Sequence, residues 1–230
     1  NKLTKDTIAI IPAKKNSRRL PGKNIKKING KPLIWYSIKE ALKSRYISEV
    51  VVSTDCKKIK NLAIKYGASV PFLRPKSLCK DNTNMINVVK HFYFNYVSKL
   101  EYVDKIILLQ PTSPLRNYKD INSSIKFFNK KKADLVTSFS EAKPINWYYR
   151  FDRNKKFIYD KIFLQKPKVK KNYLLNGSIY IYKKELFTKK KIKISKSFGF
   201  VMSNNKSIDI DRQYEFDIAN FLLSKRLIEF

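Results

Sequence analysis

Ile8-Ala9-Ile10-Ile11-Pro12-Ala13-Lys14-Lys15-Asn16-Ser17-Arg18-Arg19-Leu20-Pro21-Gly22-Lys23-Asn24 runs straight from an apolar segment into a basic one. Ile8–Pro12 reads as a buried strand, bounded by a loop rather than by more apolar residues. Five of the twelve residues from Ala13 to Asn24 are cationic, with small or polar residues between them. That composition suits a triphosphate, because several donors and positive charges can surround its oxygens. A second site has to supply the chemistry.

Working outward, apolar strands alternate with helical patterns. Pro32 precedes Leu33–Leu42, whose apolar spacing predicts a helix. Glu49–Ser53 predicts the second strand. Thr54-Asp55 then opens a helix lined by Ile59, Leu62, Ala63 and Tyr66 and ended at Gly67. Ser69–Leu73 reads as a further short strand, and Met85–Val97 as a long helix. Val103–Leu109 predicts a central strand ending in Gln110-Pro111-Thr112-Ser113-Pro114-Leu115-Arg116. A helix over Tyr118–Phe128 precedes strands at Leu135–Phe139, Leu174–Tyr182 and Phe198–Met202. A terminal helix covers Tyr214–Leu223. The alternation predicts an α/β fold with a doubly wound, largely parallel sheet, its ligands at the carboxyl ends of the strands. The 230 residues suit a single domain spanning 1–230. Residues 143–171, with Trp147-Tyr148-Tyr149 and Phe157-Ile158-Tyr159, read as an excursion for dimerisation or sugar binding.

Composition excludes several classes. The net charge of +32 would attract polyanions, yet nine of the 50 cationic residues are Arg and the lysines are spread throughout. No stacking platform accompanies them, so weak salt-sensitive binding is expected and no specific nucleic-acid recognition. No apolar stretch approaches the ~18–20 residues of a membrane span. The first strand leaves little room for a targeting peptide. Cys56 and Cys79 form neither a disulfide framework nor a metal pattern, and read as reduced thiols of a cytoplasmic protein. His91 lies in a predicted helix without ligand partners and reads as a packing or surface residue.

Asp209-Ile210-Asp211 is the second chemical signal. In an extended segment, positions two apart face the same way, so both carboxylates can meet a hard divalent cation. Mg²⁺ held there would engage phosphate oxygens while keeping some water. Cationic groups and carboxylates on one triphosphate point to attack at phosphorus with departure of a phosphate-bearing group. The Gly-x4-Gly-Lys-Ser/Thr loop of P-loop ATPases is missing, and so are the glycines of a dinucleotide fingerprint.

Taken in order, these motifs resemble the acylneuraminate cytidylyltransferase family, the CMP-sialic acid synthetases, over roughly residues 7–224. The family's I-P-A-R-x-G-S-K-x-x-x-x-K-N appears as Ile11–Asn24. Val52-Ser53-Thr54-Asp55, Leu73-Arg74-Pro75, Leu109–Arg116, Asn176-Gly177-Ser178-Ile179-Tyr180 and Ser207–Asp211 follow. The resemblance implies transfer of CMP from CTP to the anomeric hydroxyl of a nine-carbon 2-keto sugar acid, with release of pyrophosphate. It implies that Lys23 contacts the reacting phosphates, with Arg18 also catalytic, and that Lys14 and Ser17 help to cradle them. Asn24, Arg74, Asp81 and Asn82 would place the nucleotide. Gln110 would sit between nucleotide and sugar, Tyr180 would border the sugar, and Asp209 and Asp211 would carry Mg²⁺. Asp211, a metal-bound water and a substrate phosphate are alternative proton acceptors. Arg116 reads as structural. A homodimer and a downstream role in surface polysaccharide assembly are further implications.

The departures bear on the substrate. Lys14 replaces the usual Arg and loses its planar fork. Asn16 replaces a Gly and is expected to tolerate unusual backbone angles. Tyr173-Leu174-Leu175 precedes Asn176 where some sialic-acid-using relatives carry a basic residue. The chain therefore looks closest to the bacterial legionaminic acid branch. N-acetylneuraminate, pseudaminate, 3-deoxy-manno-octulosonate and a noncatalytic nucleotide-binding role are the alternatives.

Overall fold

The computed structural model describes residues 5–144, 148, 150, 151, 153–158, 171–189, 191–225 and 227. Strand β1 (Thr7–Pro12) is followed by two-residue strands β2 (Lys27–Ile28) and β3 (Lys31–Pro32), helix α1 (Leu33–Leu42) and β4 (Ile47–Ser53). Helices α2 (Lys57–Lys65) and α3 (Met85–Asn95) precede β5 (Lys105–Leu109), α4 (Tyr118–Lys131) and β6 (Leu135–Ala142). After the short pair β7 (Arg150–Phe151) and β8 (Phe157–Ile158) come β9 (Asn172–Lys183), β10 (Ser197–Met202) and α5 (Gln213–Ser224).

Six strands form the main sheet in the order β10-β6-β9-β5-β1-β4. Five run in one direction, and β9 alone runs against them, antiparallel to both β5 and β6. The sheet is thus largely parallel, as expected, with one reversed strand in its middle. Period-2 alternation decides which layer each side chain enters. Ile8 and Ile10 of β1, Ile106 and Leu108 of β5, and Tyr182 of β9 join Val88, Val89 and Phe92 of α3. Ala9, Ile11, Ile107, Leu109, Ile179 and Ile181 face α1, α2 and α4 on the other side. Burying each such Ile or Leu contributes about 1.5–3 kcal/mol, so the sheet is a rigid base for the loops it carries.

Because β1, β4 and β5 are parallel, the segments after Pro12, Ser53 and Leu109 leave at one edge. Reversed β9 brings its early residues Asn176 and Gly177 to that same edge. A third, smaller core joins Leu20 of the basic loop, Leu115, Ile210, and Phe216, Ala219 and Leu223 of α5. It fastens three site segments to one another.

Two expectations need correction. Ser69–Leu73 is no strand: it makes one isolated bridge, Val51 to Ser69, because Pro71 has no N–H to continue a ladder. The third helix ends at Asn95 rather than Val97, since Tyr96 leaves helical geometry at φ −140°. Within the 143–171 excursion, β7 and β8 pair antiparallel. Tyr149, Tyr159 and most of the segment beyond lie outside the described residues.

Candidate active site

The basic loop is held at three points. Asn24, buried, donates from Nδ2 to the Lys14 carbonyl at 2.9 Å. Asp55, just past β4, accepts from the Lys15 backbone N–H at 2.8 Å. Leu20 is sunk in the third core, and the Lys23 N–H closes a turn onto its carbonyl. Gly22 adopts φ +64°, a left-handed conformation that suits glycine and turns the chain into the short helix Lys23–Ile25. Asn16 does not adopt positive φ; Gly22 supplies the loop's unusual angle.

The acidic turn meets this loop directly. Ile210 is fully buried and its N–H donates to the Thr112 carbonyl at 2.8 Å, which fixes the backbone between the two aspartates. Lys23 Nζ donates to the Ile210 carbonyl at 2.7 Å and lies 3.2 Å from Asp211 Oδ1. Arg19 pairs with the other Asp211 oxygen at 2.8 Å. Across the cavity, Lys14 and Arg18 pair with Asp81 at 2.6 and 3.5 Å. Burial pushes the Asp209 carboxyl up; the neighbouring Thr112 hydroxyl opposes this, the Asp211 charge adds to it, and Lys23 opposes it. The Asp81 carboxyl is held below the usual range, chiefly by its hydrogen bond and charge contact with Lys14.

A cavity of about 350 Å³ lies between these banks. Lys14, Ser17, Arg18, Arg19, Lys23 and Asn24 line one side, with Arg74, Asp81, Gln110, Thr112, Asp209 and Asp211 around the rest. Arg74 is buried, its backbone N–H donates to the Thr54 carbonyl at 2.7 Å, and its Nε has no protein partner. Gly177, at φ +69°, stands next to two of the lining residues. A Cβ there would stand 3.4 Å from Asp209 Oδ2 and 3.6 Å from Gln110 Nε2. Tyr180, half-buried, has its hydroxyl pushed up by burial and by Asp209, with the Gln110 amide opposing.

Comparison with known proteins gives this arrangement its family. A profile described as cytidylyltransferase matches residues 8–218. The chain belongs to the cytidylyltransferase family. This cytidylyltransferase is 35% identical, over 94% of its length and 95% of the relative's, to the CMP-N,N'-diacetyllegionaminic acid synthase of Legionella pneumophila. It is 30% identical to the pseudaminic acid cytidylyltransferase of Campylobacter jejuni, over 94% of the chain and 95% of the relative. A solved CMP:2-keto-3-deoxy-manno-octonic acid synthetase in complex with CTP shares the fold at TM-score 0.71 and 17% identity, covering 96% of this chain and 99% of that one.

Within the cytidylyltransferase, ten of the twelve residues expected at the site line the cavity: Lys14, Ser17, Arg18, Lys23, Asn24, Arg74, Asp81, Gln110, Asp209 and Asp211. Asn82 is exposed and stands outside the lining, and Tyr180 lies behind it. Arg19 was not among the twelve, yet it and not Arg18 reaches the acidic turn. Both line the cavity, and their adjacency in sequence hid which of the two meets the acidic turn. Asp55 and Ser37 also escaped, because their work is on backbone atoms of other loops. Among the described residues no group of three or more His, Cys, Asp or Glu could hold a metal ion. Cys56 and Cys79 are free thiols. No described helix is long and apolar enough to cross a membrane.

Proposed function

We propose that the chain transfers CMP from CTP to the anomeric hydroxyl of a nine-carbon 2-keto sugar acid of legionaminic type, releasing pyrophosphate. One observation carries this reading: the basic loop and the acidic turn converge through Lys23 beside Gln110 and Gly177. The legionaminic assignment is supported by the relative named for that product, at 35% identity over nearly the full chain.

The sugar's anomeric oxygen attacks the α-phosphorus of CTP in line with the bond to the departing pyrophosphate. A P–O bond forms, the α–β bridging P–O bond breaks, and the hydroxyl proton passes by way of a phosphate oxygen or water to solvent. Charge gathers on the leaving pyrophosphate, where Lys23, Lys14, Arg18 and Arg19 are arranged to meet it. Ser17 and the free Nε of Arg74 offer further donors to the nucleotide. Gln110 stands between nucleotide and sugar acid, with Tyr180 behind it.

Asp209 and Asp211 are the residues that would hold Mg²⁺, Asp211 exchanging its contacts with Lys23 and Arg19 for the metal. Asp209 Oδ1 is buried without a hydrogen-bond partner, and a carboxylate oxygen so placed suits a hard cation. With two protein carboxylates, the remaining ligands would be phosphate oxygens and water. Bound there, Mg²⁺ would neutralise phosphate charge as a Lewis acid.

A homodimer belongs to the same reading. Beyond Phe139, the β6–β9 ladder carries Tyr173, Leu174 and Leu175 exposed on both its faces. Such a ladder next to the 143–171 excursion offers apolar area to a second copy. Light scattering at enzymatically active concentrations tests this, and monomer alone would overturn it. The transfer is tested by pyrophosphate release from CTP and Mg²⁺ with each of four sugar acids, products identified by mass. Release of pyrophosphate without a CMP-sugar would overturn the transfer.

A further inference from the structure

Arg116 ends the segment that follows β5, and its side chain is 1% exposed. Nη1 donates to the Ser178 carbonyl at 2.6 Å and more weakly to the Gln110 carbonyl at 3.4 Å. Nη2 donates to Ser37 Oγ of α1 at 2.7 Å, and that hydroxyl donates onward to the same Gln110 carbonyl at 3.2 Å. One guanidinium therefore ties together the end of β5, the bend in β9 and helix α1.

The bend is the informative part. The β6–β9 register shifts between Thr137 and Phe139, so Asn176, Gly177 and Ser178 leave the regular ladder. Ser138 restores the lost bonds, donating to Asn176 Oδ1 at 2.6 Å and accepting from the Ile179 N–H at 2.8 Å. Arg116 satisfies the Ser178 carbonyl. The outcome is Gly177 in a left-handed conformation, its α-carbon facing both Asp209 and the Gln110 amide. Shifting either Gln110 or Ser178 would open the gap between them.

Burying a cation costs several kcal/mol, and apolar packing of similar volume would hold the loops as firmly. Glu40, fully buried, and Asp120 supply the balancing charge nearby, and burial lowers the Arg116 pKa to about 10, still cationic at neutral pH. What apolar packing cannot do is tie two carbonyls and a hydroxyl to one group: Nη1 reaches both carbonyls and Nη2 of the same planar guanidinium takes the Ser37 hydroxyl.

We propose that Arg116 is a positioning residue for the transfer reaction: by clamping the Gln110 and Ser178 carbonyls it aims the Gln110 amide at the acceptor sugar acid. The inference rests on the transfer reading given above. The hydrogen bonds of Arg116 go to the Gln110 and Ser178 carbonyls and the Ser178 and Ser37 hydroxyls, so its effect passes through Gln110 to the acceptor and leaves the nucleotide cations in place.

The test uses Arg116→Lys, which keeps the charge and loses the fork, and the milder Ser37→Ala, each alone and combined with Gln110→Ala. CTP affinity is measured by calorimetry, and kcat and KM for the sugar acid are measured at saturating CTP. Arg116→Lys is expected to lower kcat/KM for the sugar acid by about tenfold and Ser37→Ala by about threefold, with CTP Kd unchanged within about twofold. In the Gln110→Ala background both penalties should shrink to within about twofold. Unchanged sugar-acid kinetics in both variants would overturn the proposal. So would equal penalties with and without Gln110, or a matching loss of CTP affinity. If Arg116→Lys does not fold, Ser37→Ala decides the question by the same criteria. Wild-type protein that binds CTP yet turns over no sugar acid would instead overturn the transfer reading, and this inference with it.

Discussion

Lys23 and Asp211 stand 188 positions apart in the chain, yet the Lys23 ammonium lies 3.2 Å from the Asp211 carboxylate. The same ammonium donates to the Ile210 carbonyl at 2.7 Å, and the Lys23 side chain is only 11% exposed. It is therefore oriented before any substrate arrives. Donors fixed in advance need little reorganisation when charge develops. The basic loop and the acidic turn are one device joined at this lysine.

Lys23→Ala should lower kcat by about 10²–10³, the range seen when one fixed donor to developing charge is removed. CTP affinity should fall far less. Loss of the bond to the Ile210 carbonyl should cost about 1 kcal/mol of stability, read as a lower Tm. A kcat within a few-fold of wild type would remove Lys23 from the reaction.

Asp209→Asn should reduce Mg²⁺-dependent turnover at least about a hundredfold, because metal stabilisation of phosphate charge is worth several kcal/mol. In metal-free buffer the same variant should have a higher Tm than wild type. Burial raises the Asp209 carboxyl above the ordinary range. The unliganded fold therefore loses stability as pH rises from the ordinary Asp pKa through the raised one. The Asn variant should lack that slope. Unchanged Mg²⁺ dependence would refute the metal assignment.

Asp81 engages Lys14 and Arg18, and its side chain is about half exposed. Asp81→Asn should free both cations and tighten CTP binding by no more than a few-fold at low ionic strength. The gain should vanish in high salt, which screens exposed charges. Weaker CTP binding in this variant would mean that Asp81 contacts the nucleotide directly.

The main layers of the fold were legible because their signals are local. Leu33–Leu42 has helical period, and Ile106–Leu109 is a short unbroken apolar run, the mark of a strand buried on both faces. The reversal of β9 was not legible, since an apolar strand reads the same in either direction. Pro71 announced the missing strand near Ser69, but its lost N–H was outweighed by apolar neighbours. At the site, residue types pointed to the basic loop and the Asp209–Asp211 pair, while Lys23 and Gln110 were named through the family resemblance of their motifs. The contact of Arg19 with the acidic turn and the clamp by Arg116 depend on backbone direction and on partners far along the chain. Spacing carries no such information.

His91 packs edge-on against Phe72, with ring centroids 5.2 Å apart and Nδ1 buried without a partner. Burial lowers its pKa and the Arg74 charge lowers it further. The unfolded chain thus binds a proton below about pH 6.5 that the folded chain resists. Stability should fall as pH drops from that point through the lowered folded value, and recover as pH rises. Thermal melts across this range should show a flatter profile for His91→Gln. An identical acid-side slope would rule out His91 as its source.

The central claim is tested most directly by pyrophosphate release with CTP and Mg²⁺ against legionaminate, N-acetylneuraminate, pseudaminate and 3-deoxy-manno-octulosonate, each product identified by mass. CMP-legionaminate is the expected preferred product, with one pyrophosphate released per CMP-sugar formed. Folded protein that binds CTP and forms no CMP-sugar with any of them would contradict it.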